Sequence, residues 1–141
     1  TIVGYGRIGK ALALRLKDWV KKLTVLNRGA ERLAQAQAAG LRTAAWQDLP
    51  EISAQSDYIF NTAPALIFTK EILAQLPAGT IVIDLAAAPG GIDFAAAAKL
   101  PIKAYFASGL PGKYAPRFTG ALMAEHYLSL IEAKFNAKEV K

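Results

Sequence analysis

Three glycines near the start, Gly4, Gly6 and Gly9, lie in the run Gly4-Tyr5-Gly6-Arg7-Ile8-Gly9. Apolar Ile2 and Val3 precede it, and Ala11-Leu12-Ala13-Leu14 follow. A strand that turns sharply into a helix needs a residue without Cβ at the turn, which is the task of Gly4. Gly6 lets an anionic group come close to the backbone, and Gly9 lets the helix lie against the strand. The helix then points its unpaired N–H groups and the positive end of its dipole at that anion. A second apolar strand follows roughly 20 residues on, which completes the context this spacing requires. The run therefore predicts a cradle for the pyrophosphate of a dinucleotide, with all six residues as cofactor contacts. The bland alternative is a structural tight turn.

The end of the second strand decides which dinucleotide. A carboxylate there accepts hydrogen bonds from a ribose 2′-OH and favours NAD. This chain has neutral Asn27, followed at once by Arg28 and, one helical turn on, by Arg32. A guanidinium binds phosphate as a fork and stacks on adenine. The expected cofactor is NADP rather than NAD, with Asn27, Arg28 and Arg32 at the adenosine ribose. Two surface arginines are the alternative. Thr62, Ala63 and Pro64, in the turn Asn61-Thr62-Ala63-Pro64, are small enough to let backbone approach the cofactor, and Thr62 can donate a hydrogen bond.

No general acid or base stands out, so the catalytic residue is left open. The sole His, His126, falls inside the last helical pattern and reads as a surface or packing residue. Asp57 begins a strand, at the wrong edge for a ligand. Asp84 ends one, at the edge where ligands bind, and either orients loop amides, touches the nicotinamide or simply caps the next turn. Leu85 and Ala86 continue that edge. Two Pro/Gly-rich stretches, 86–91 and 108–117, combine stiffness with close backbone approach. Within them Pro89, Gly90, Gly91, Leu110, Pro111 and Tyr114 are substrate-contact candidates, and Lys113 and Arg117 are candidate clamps for substrate carboxylates. A pair of rigid turns is the alternative. Without Cys there is no disulfide framework, thiolate nucleophile or thiolate metal site, and no metal is expected.

The elements that must position these residues alternate. Lys10–Val20 is predicted helical, with Ile8, Leu12, Leu16 and Val20 at core spacing. Leu23–Leu26 is a strand, Ala30–Ala39 a helix closed by Gly40, and Leu41–Ala45 a third strand. A helical turn after Trp46–Pro50 has Asp48 as its candidate cap. Asp57–Phe60 and Gly79–Asp84 are the fourth and fifth strands, the latter apolar enough to be covered on both faces. Between them Thr69–Leu76 is a helix capped by Thr69. Ile92–Leu100 is a helix, Ile102–Ala107 the sixth strand, and 108–118 a loop. An amphipathic helix closes the chain from Thr119 to about residue 136, with Leu122, Leu128 and Ile131 toward the core. Strand–helix alternation means a Rossmann-like doubly wound parallel sheet in the order 3-2-1-4-5-6, with helices on both faces and the ligand crevice between strands one and four.

At 141 residues this is expected to be one dinucleotide-binding domain, spanning 1–141. Thr1-Ile2-Val3 is short for a first strand, so further residues are expected upstream. The net charge of +6 comes from scattered Lys and Arg without interleaved aromatics, which argues against nucleic acid and suits a phosphate-rich cofactor and a dicarboxylate substrate. No apolar run is long enough to span a bilayer. A cytoplasmic location fits, and self-association stays open.

Several runs carry a family resemblance: Asp84-Leu85-Ala86, Pro89-Gly90-Gly91-Ile92-Asp93-Phe94, Gly109-Leu110-Pro111-Gly112 and Ala115-Pro116. With the glycine run and the Asn61–Pro64 turn in the same order, the whole chain resembles the C-terminal dinucleotide-binding domain of the dipicolinate synthase A family. Ala87 and Phe118-Thr119 depart from that pattern. The resemblance implies an NAD(P)-dependent oxidoreductase of the lysine/diaminopimelate branch that oxidises a dihydrodipicolinate-type precursor to dipicolinate during sporulation. It also implies a second, flavoprotein-like subunit, the B component of the synthase, and an N-terminal substrate portion. Without that portion the domain binds cofactor and does not turn over. Two other readings remain: a shikimate-dehydrogenase-like NADP enzyme, and a non-catalytic dinucleotide-sensing module.

Overall fold

The computed structural model describes residues 1–139, and side chains for all of these except His126 and residues 130–139. The expectations for the side chains of His126 and Ile131 thus fall outside the described residues. The chain forms two compact units, Thr1–Ser108 and a second that begins at Gly109.

The first unit alternates strand and helix throughout. In order come β1 (Ile2–Val3), α1 (Arg7–Leu16), β2 (Thr24–Leu26), α2 (Ala30–Ala38), β3 (Arg42–Ala44), a 3₁₀ turn (Trp46–Asp48) and α3 (Leu49–Ala54). Then follow β4 (Tyr58–Asn61), α4 (Lys70–Leu73), β5 (Ile81–Asp84), α5 (Phe94–Ala97) and β6 (Lys103–Phe106). All strand pairs are parallel, and the sheet order is β3-β2-β1-β4-β5-β6. This is the expected Rossmann-like α/β sheet. The order reverses direction at β1, so β1 and β4 lie side by side with their loops diverging to opposite sides of the sheet.

Strand alternation divides the core in two. Val3, Leu26, Ile59 and Val82 point to one face, where they pack with Leu49, Phe68, Leu73 and Ile92. Ile2 and Val25 point to the other, with Tyr5, Ala13, Ala36 and Leu41. Neighbouring residues on one strand serve opposite clusters because side chains alternate with period two.

Several local expectations are corrected. Helix α1 begins at Arg7 and stops at Leu16, well short of Val20. Its inner face is Gly9 and Ala13, with Leu12 and Leu16 half-buried, while Ile8 is 50% exposed and Val20 41%. Small residues face the sheet because the helix lies close to it. Strand β5 is not sealed on both faces: Val82 and Asp84 are buried, Ile81 and Ile83 only partly. The cluster under α1 and α2 includes no residue of β5, so that side of the strand is less covered within this unit. Asp48 stands at the N-cap of α3 without capping it; its carboxylate accepts the Ala45 N–H instead (3.1 Å) and closes the 3₁₀ turn. Thr69 likewise occupies the N-cap of α4, but its hydroxyl donates to the Glu71 carboxylate (2.6 Å). Helices α4 and α5 are single turns, shorter than the apolar patterns suggest.

In the second unit the predicted loop over 108–118 is largely helical. Leu110–Tyr114 forms α6, and α7 runs Pro116–Glu139. Each proline sits in a first turn, where a missing N–H costs nothing. Gly109, at φ +66°, makes the left-handed turn into α6. Leu122 and Leu128, expected in a core, are 53% and 58% exposed.

Candidate dinucleotide site at the strand switch point

The glycine loop folds around positions where only hydrogen fits. Gly4 has φ +97°, and its N–H donates to the Leu26 carbonyl (2.8 Å), which ties the loop to β2. A Cβ on Gly9 would collide with the Gly4 carbonyl and meet Thr62 Oγ1, and a Cβ on Gly4 would collide with the same hydroxyl. The Thr62 hydroxyl donates to the Val3 carbonyl (3.1 Å), and the Thr62 N–H donates to it as well (2.8 Å). Gly4, Gly9 and Thr62 therefore lock β1, α1 and the β4 exit into one unit. The Thr62 hydroxyl proton, expected as a donor at the site, is engaged inside the fold.

Gly6 is different. Its φ of −80° suits any residue, and a Cβ there would meet only Arg32 Nη1, at 3.0 Å. Its missing side chain is required neither by conformation nor by packing. Gly6 is the N-cap of α1, whose first-turn amides receive no side-chain cap. Open space, uncapped amides and the helix dipole together fit a diphosphate. Arg32, expected beside Asn27 and Arg28, reaches from α2 to the glycine loop, where its Nη1 lies next to Gly6. Arg7 and Ile8 are exposed on the first turn of α1, next to the same space.

Tyr5 and Asn27 brace the loop from below. The Tyr5 ring is buried in the cluster under α1 and α2, and its backbone N–H donates to Asn27 Oδ1 (3.1 Å). Asn27 Nδ2 donates to the Gly29 carbonyl (3.2 Å). Asn27 thus links the glycine loop to the β2–α2 turn. Arg28 follows, with its guanidinium carbon 4.5 Å from the centroid of the Trp46 ring. Sequence reasoning missed Trp46, because only the pairing of β3 with β2 brings it to this corner.

Across the switch point, Asn61 and Asp84 end β4 and β5 in register. Both are fully buried. Asp84 Oδ1 accepts from Asn61 Nδ2 (2.9 Å) and the Ala86 N–H (3.1 Å), and Oδ2 accepts from the Gly91 N–H (2.6 Å). Asn61 Oδ1 accepts from the Ala63 N–H (3.2 Å). Of the roles expected for Asp84, the structure displays the orientation of loop amides. Asn61 was passed over as part of a turn; a polar residue closing an apolar strand, level with an Asp on its neighbour, was the available signal.

The loop 86–91 is consequently held at both ends, at Ala86 and at Gly90–Gly91. Gly90 turns at φ +87° against Asp84 and Phe106, and a Cβ on Gly91 would collide with Asn61 Nδ2. The Gly91 carbonyl accepts from the Ile67 and Phe68 N–H groups (3.0 and 2.9 Å). Phe94 stacks edge-on against Phe106 at 6.0 Å. Gly90 and Gly91 are buried by this packing, while Ala87, Ala88 and Pro89 stay exposed. Ala63 is half-buried and Pro64 exposed beside them, and Leu85 and Ala86 continue from β5. Leu110, Pro111, Lys113, Tyr114 and Arg117 belong to the second unit, where Lys113 Nζ lies 5.4 Å from the centroid of the Tyr114 ring. Among the described residues, no group of His, Cys, Asp or Glu is placed to hold a metal. No helix among them is long and apolar enough to cross a membrane.

A parallel sheet with a glycine cradle at its switch point defines a nucleotide-binding domain of the Rossmann type, and comparison with known families makes the class specific. The chain belongs to the NAD-binding domain family of D-isomer-specific 2-hydroxyacid dehydrogenases, whose family model matches residues 1–93. Its ligand class is therefore a nicotinamide dinucleotide.

Over nearly its whole length the chain is similar to one particular kind of protein. It is 34% identical to dipicolinate synthase A of Bacillus subtilis (strain 168) over 140 residues, 99% of this chain and 47% of that protein. It thus spans about half the length of the curated relative it matches. The crystal structure of dipicolinate synthase A from Bacillus halodurans superposes with a TM-score of 0.85 at 36% identity, covering 92% of this chain and 44% of that one. The crystal structure of its Bacillus subtilis counterpart gives 0.87 at 34% identity, covering 97% and 46%.

Proposed function

We propose that this chain is the NADP-binding domain of an oxidoreductase that oxidises a dihydrodipicolinate-type precursor to dipicolinate, as its similarity to dipicolinate synthase A suggests. The observation that carries the cofactor choice is the β2 exit. Asn27 is neutral and engaged with the glycine loop, and Arg28 follows it with its charge held on an indole face. A 2′-phosphate meets no carboxylate at this position and one fixed guanidinium.

When bound, the dinucleotide supplies hydride transfer; the chain supplies position and electrostatics. The first turn of α1 and Arg32 hold the diphosphate, Gly6 leaves room for it, and Ile8 offers an apolar contact beside it. Thr62, Ala63 and Pro64 with Asp84, Leu85 and Ala86 border the nicotinamide end. In this reading Pro89, Gly90 and Gly91 present backbone to a dicarboxylate substrate. In the second unit, Lys113 and Arg117 are candidate groups for carboxylates, and Leu110, Pro111 and Tyr114 are further substrate-contact candidates. The full protein works with the flavoprotein-like B component in the cytoplasm of a sporulating cell, on the lysine/diaminopimelate branch.

The cofactor test is a fluorescence titration of NADPH and NADH against the parent protein and Arg28→Ala. We expect NADPH to bind at least tenfold more tightly, and the preference to vanish in the variant. Equal affinities in the parent protein refute the NADP reading. The reaction test is dipicolinate formation by the full-length protein, with and without its flavoprotein partner, from the lysine-branch intermediate. Absence of product in both refutes the substrate assignment.

A further inference from the structure

We propose that Trp46 is a positioning residue for cofactor choice: its indole face holds the Arg28 guanidinium ready at the β2 exit as a receptor for a ribose 2′-phosphate. The proposal rests on the NADP reading above and assigns a role to a side chain outside the glycine run and the β2 turn.

Arg28 is exposed, and a free arginine on a surface samples many rotamers. Clamping an anion would then require ordering the whole side chain as the ligand binds. The 4.5 Å contact between the guanidinium carbon and the Trp46 ring centroid orders it beforehand. The kind of partner matters as much as its presence. A carboxylate would cancel the positive charge and occupy the N–H fork. Among the described residues Arg28 forms no salt bridge, and its contact is a π face, which leaves charge and donors for an incoming phosphate.

Trp46 is itself well anchored. It packs against the cluster that includes Val3, Leu26 and Leu49. It opens the 3₁₀ turn Trp46–Asp48, which is closed at both ends of one short loop: the Asp48 N–H donates to the Ala45 carbonyl (3.1 Å), and the Ala45 N–H to the Asp48 carboxylate (3.1 Å). That turn leaves β3 directly, and β3 lies beside β2, so its first side chain reaches Arg28, two residues past the end of β2. Trp46 touches the cofactor only through Arg28, which separates its role from that of the glycine loop.

The experiment measures NADPH and NADH dissociation constants for the parent protein, Trp46→Leu, Trp46→Phe and Arg28→Ala. Trp46→Leu is expected to weaken NADPH about fivefold and leave NADH within about twofold. Trp46→Phe keeps an aromatic face and is expected to retain the parent preference. Equal losses for both cofactors in Trp46→Leu would mean a merely structural role and overturn the proposal. A second measurement needs no disruptive variant. With Trp19 replaced by Phe, Trp46 is the sole tryptophan. Its emission should then respond saturably to adenosine 2′,5′-bisphosphate and not to adenosine 5′-monophosphate, and the response should be lost with Arg28→Ala. No response to the bisphosphate overturns the proposal. If Arg28→Ala abolishes the NADPH preference while Trp46→Leu keeps it, this inference alone fails. If Arg28→Ala leaves an NADPH preference intact, Arg28 is not the 2′-phosphate receptor and this inference fails while NADP binding stands; equal affinities in the parent protein sink the NADP reading and this inference with it.

Discussion

Asn61 and Asp84 stand opposite each other at the ends of β4 and β5, and the Asn61 carboxamide donates to the Asp84 carboxylate at 2.9 Å. The same carboxylate accepts the Ala86 and Gly91 N–H groups. One buried side chain therefore joins two strand exits and fixes the loop between β5 and α5. Both buried oxygens of that side chain are thereby satisfied by fixed donors.

Asp84→Ala should destabilise the protein by about 3–5 kcal/mol, since it strands several buried donors at once. Asp84→Asn keeps one acceptor oxygen and should cost about 2 kcal/mol. Urea unfolding at constant m-value checks both. An Asp84→Ala midpoint equal to that of the parent would show that the network contributes nothing.

Gly9→Ala and Gly6→Ala should separate folding from binding. The new methyl at position 9 falls on the Gly4 backbone and near Thr62, an overpacking worth about 1–3 kcal/mol. At position 6 it meets only the tip of Arg32, at 3.0 Å, so stability should change by no more than about 0.5 kcal/mol. Nucleotide affinity should nevertheless fall at least tenfold, on the order of 1.4 kcal/mol, because the methyl stands where the diphosphate approaches. Gly6→Ala protein that binds as tightly as the parent would remove the cradle from the proposal.

Asn27→Asp should move cofactor preference toward NADH. The substituted carboxylate still accepts the Tyr5 N–H, so the glycine loop keeps its brace. It no longer donates to the Gly29 carbonyl, a loss of about 1 kcal/mol in stability. Its negative charge would repel a 2′-phosphate and accept from a 2′-OH, and the NADPH-to-NADH affinity ratio should drop roughly tenfold or more. The titration used for Arg28→Ala reads it directly, and an unchanged ratio would place the 2′-phosphate elsewhere.

The chain's local order was legible where the physics is local. Glycine spacing, the apolar strands and the alternation with helices are set by neighbours a few residues apart, and they specified the six-strand order with its switch at β1 and β4. Helix lengths were less legible. The apolar pattern continues past Leu16 to Val20 and past Leu73 to Leu76, but each helix stops sooner, because a pattern records which residues can be buried and not how much sheet there is to cover.

The functional side chains divide along the same line. Sequence alone singled out Gly6 and Arg28 as candidates, since the glycine spacing and the position just past an apolar strand are local features. Only tertiary structure decided that Gly4 and Gly9 are held by Thr62, that Asp84 is occupied by Asn61 and loop amides, and that Trp46 underlies Arg28. Each of these contacts depends on which strands pair and in what register. A shift of one residue would turn every side chain to the opposite face, so which particular side chains meet across strands follows from the register and not from spacing within any one run.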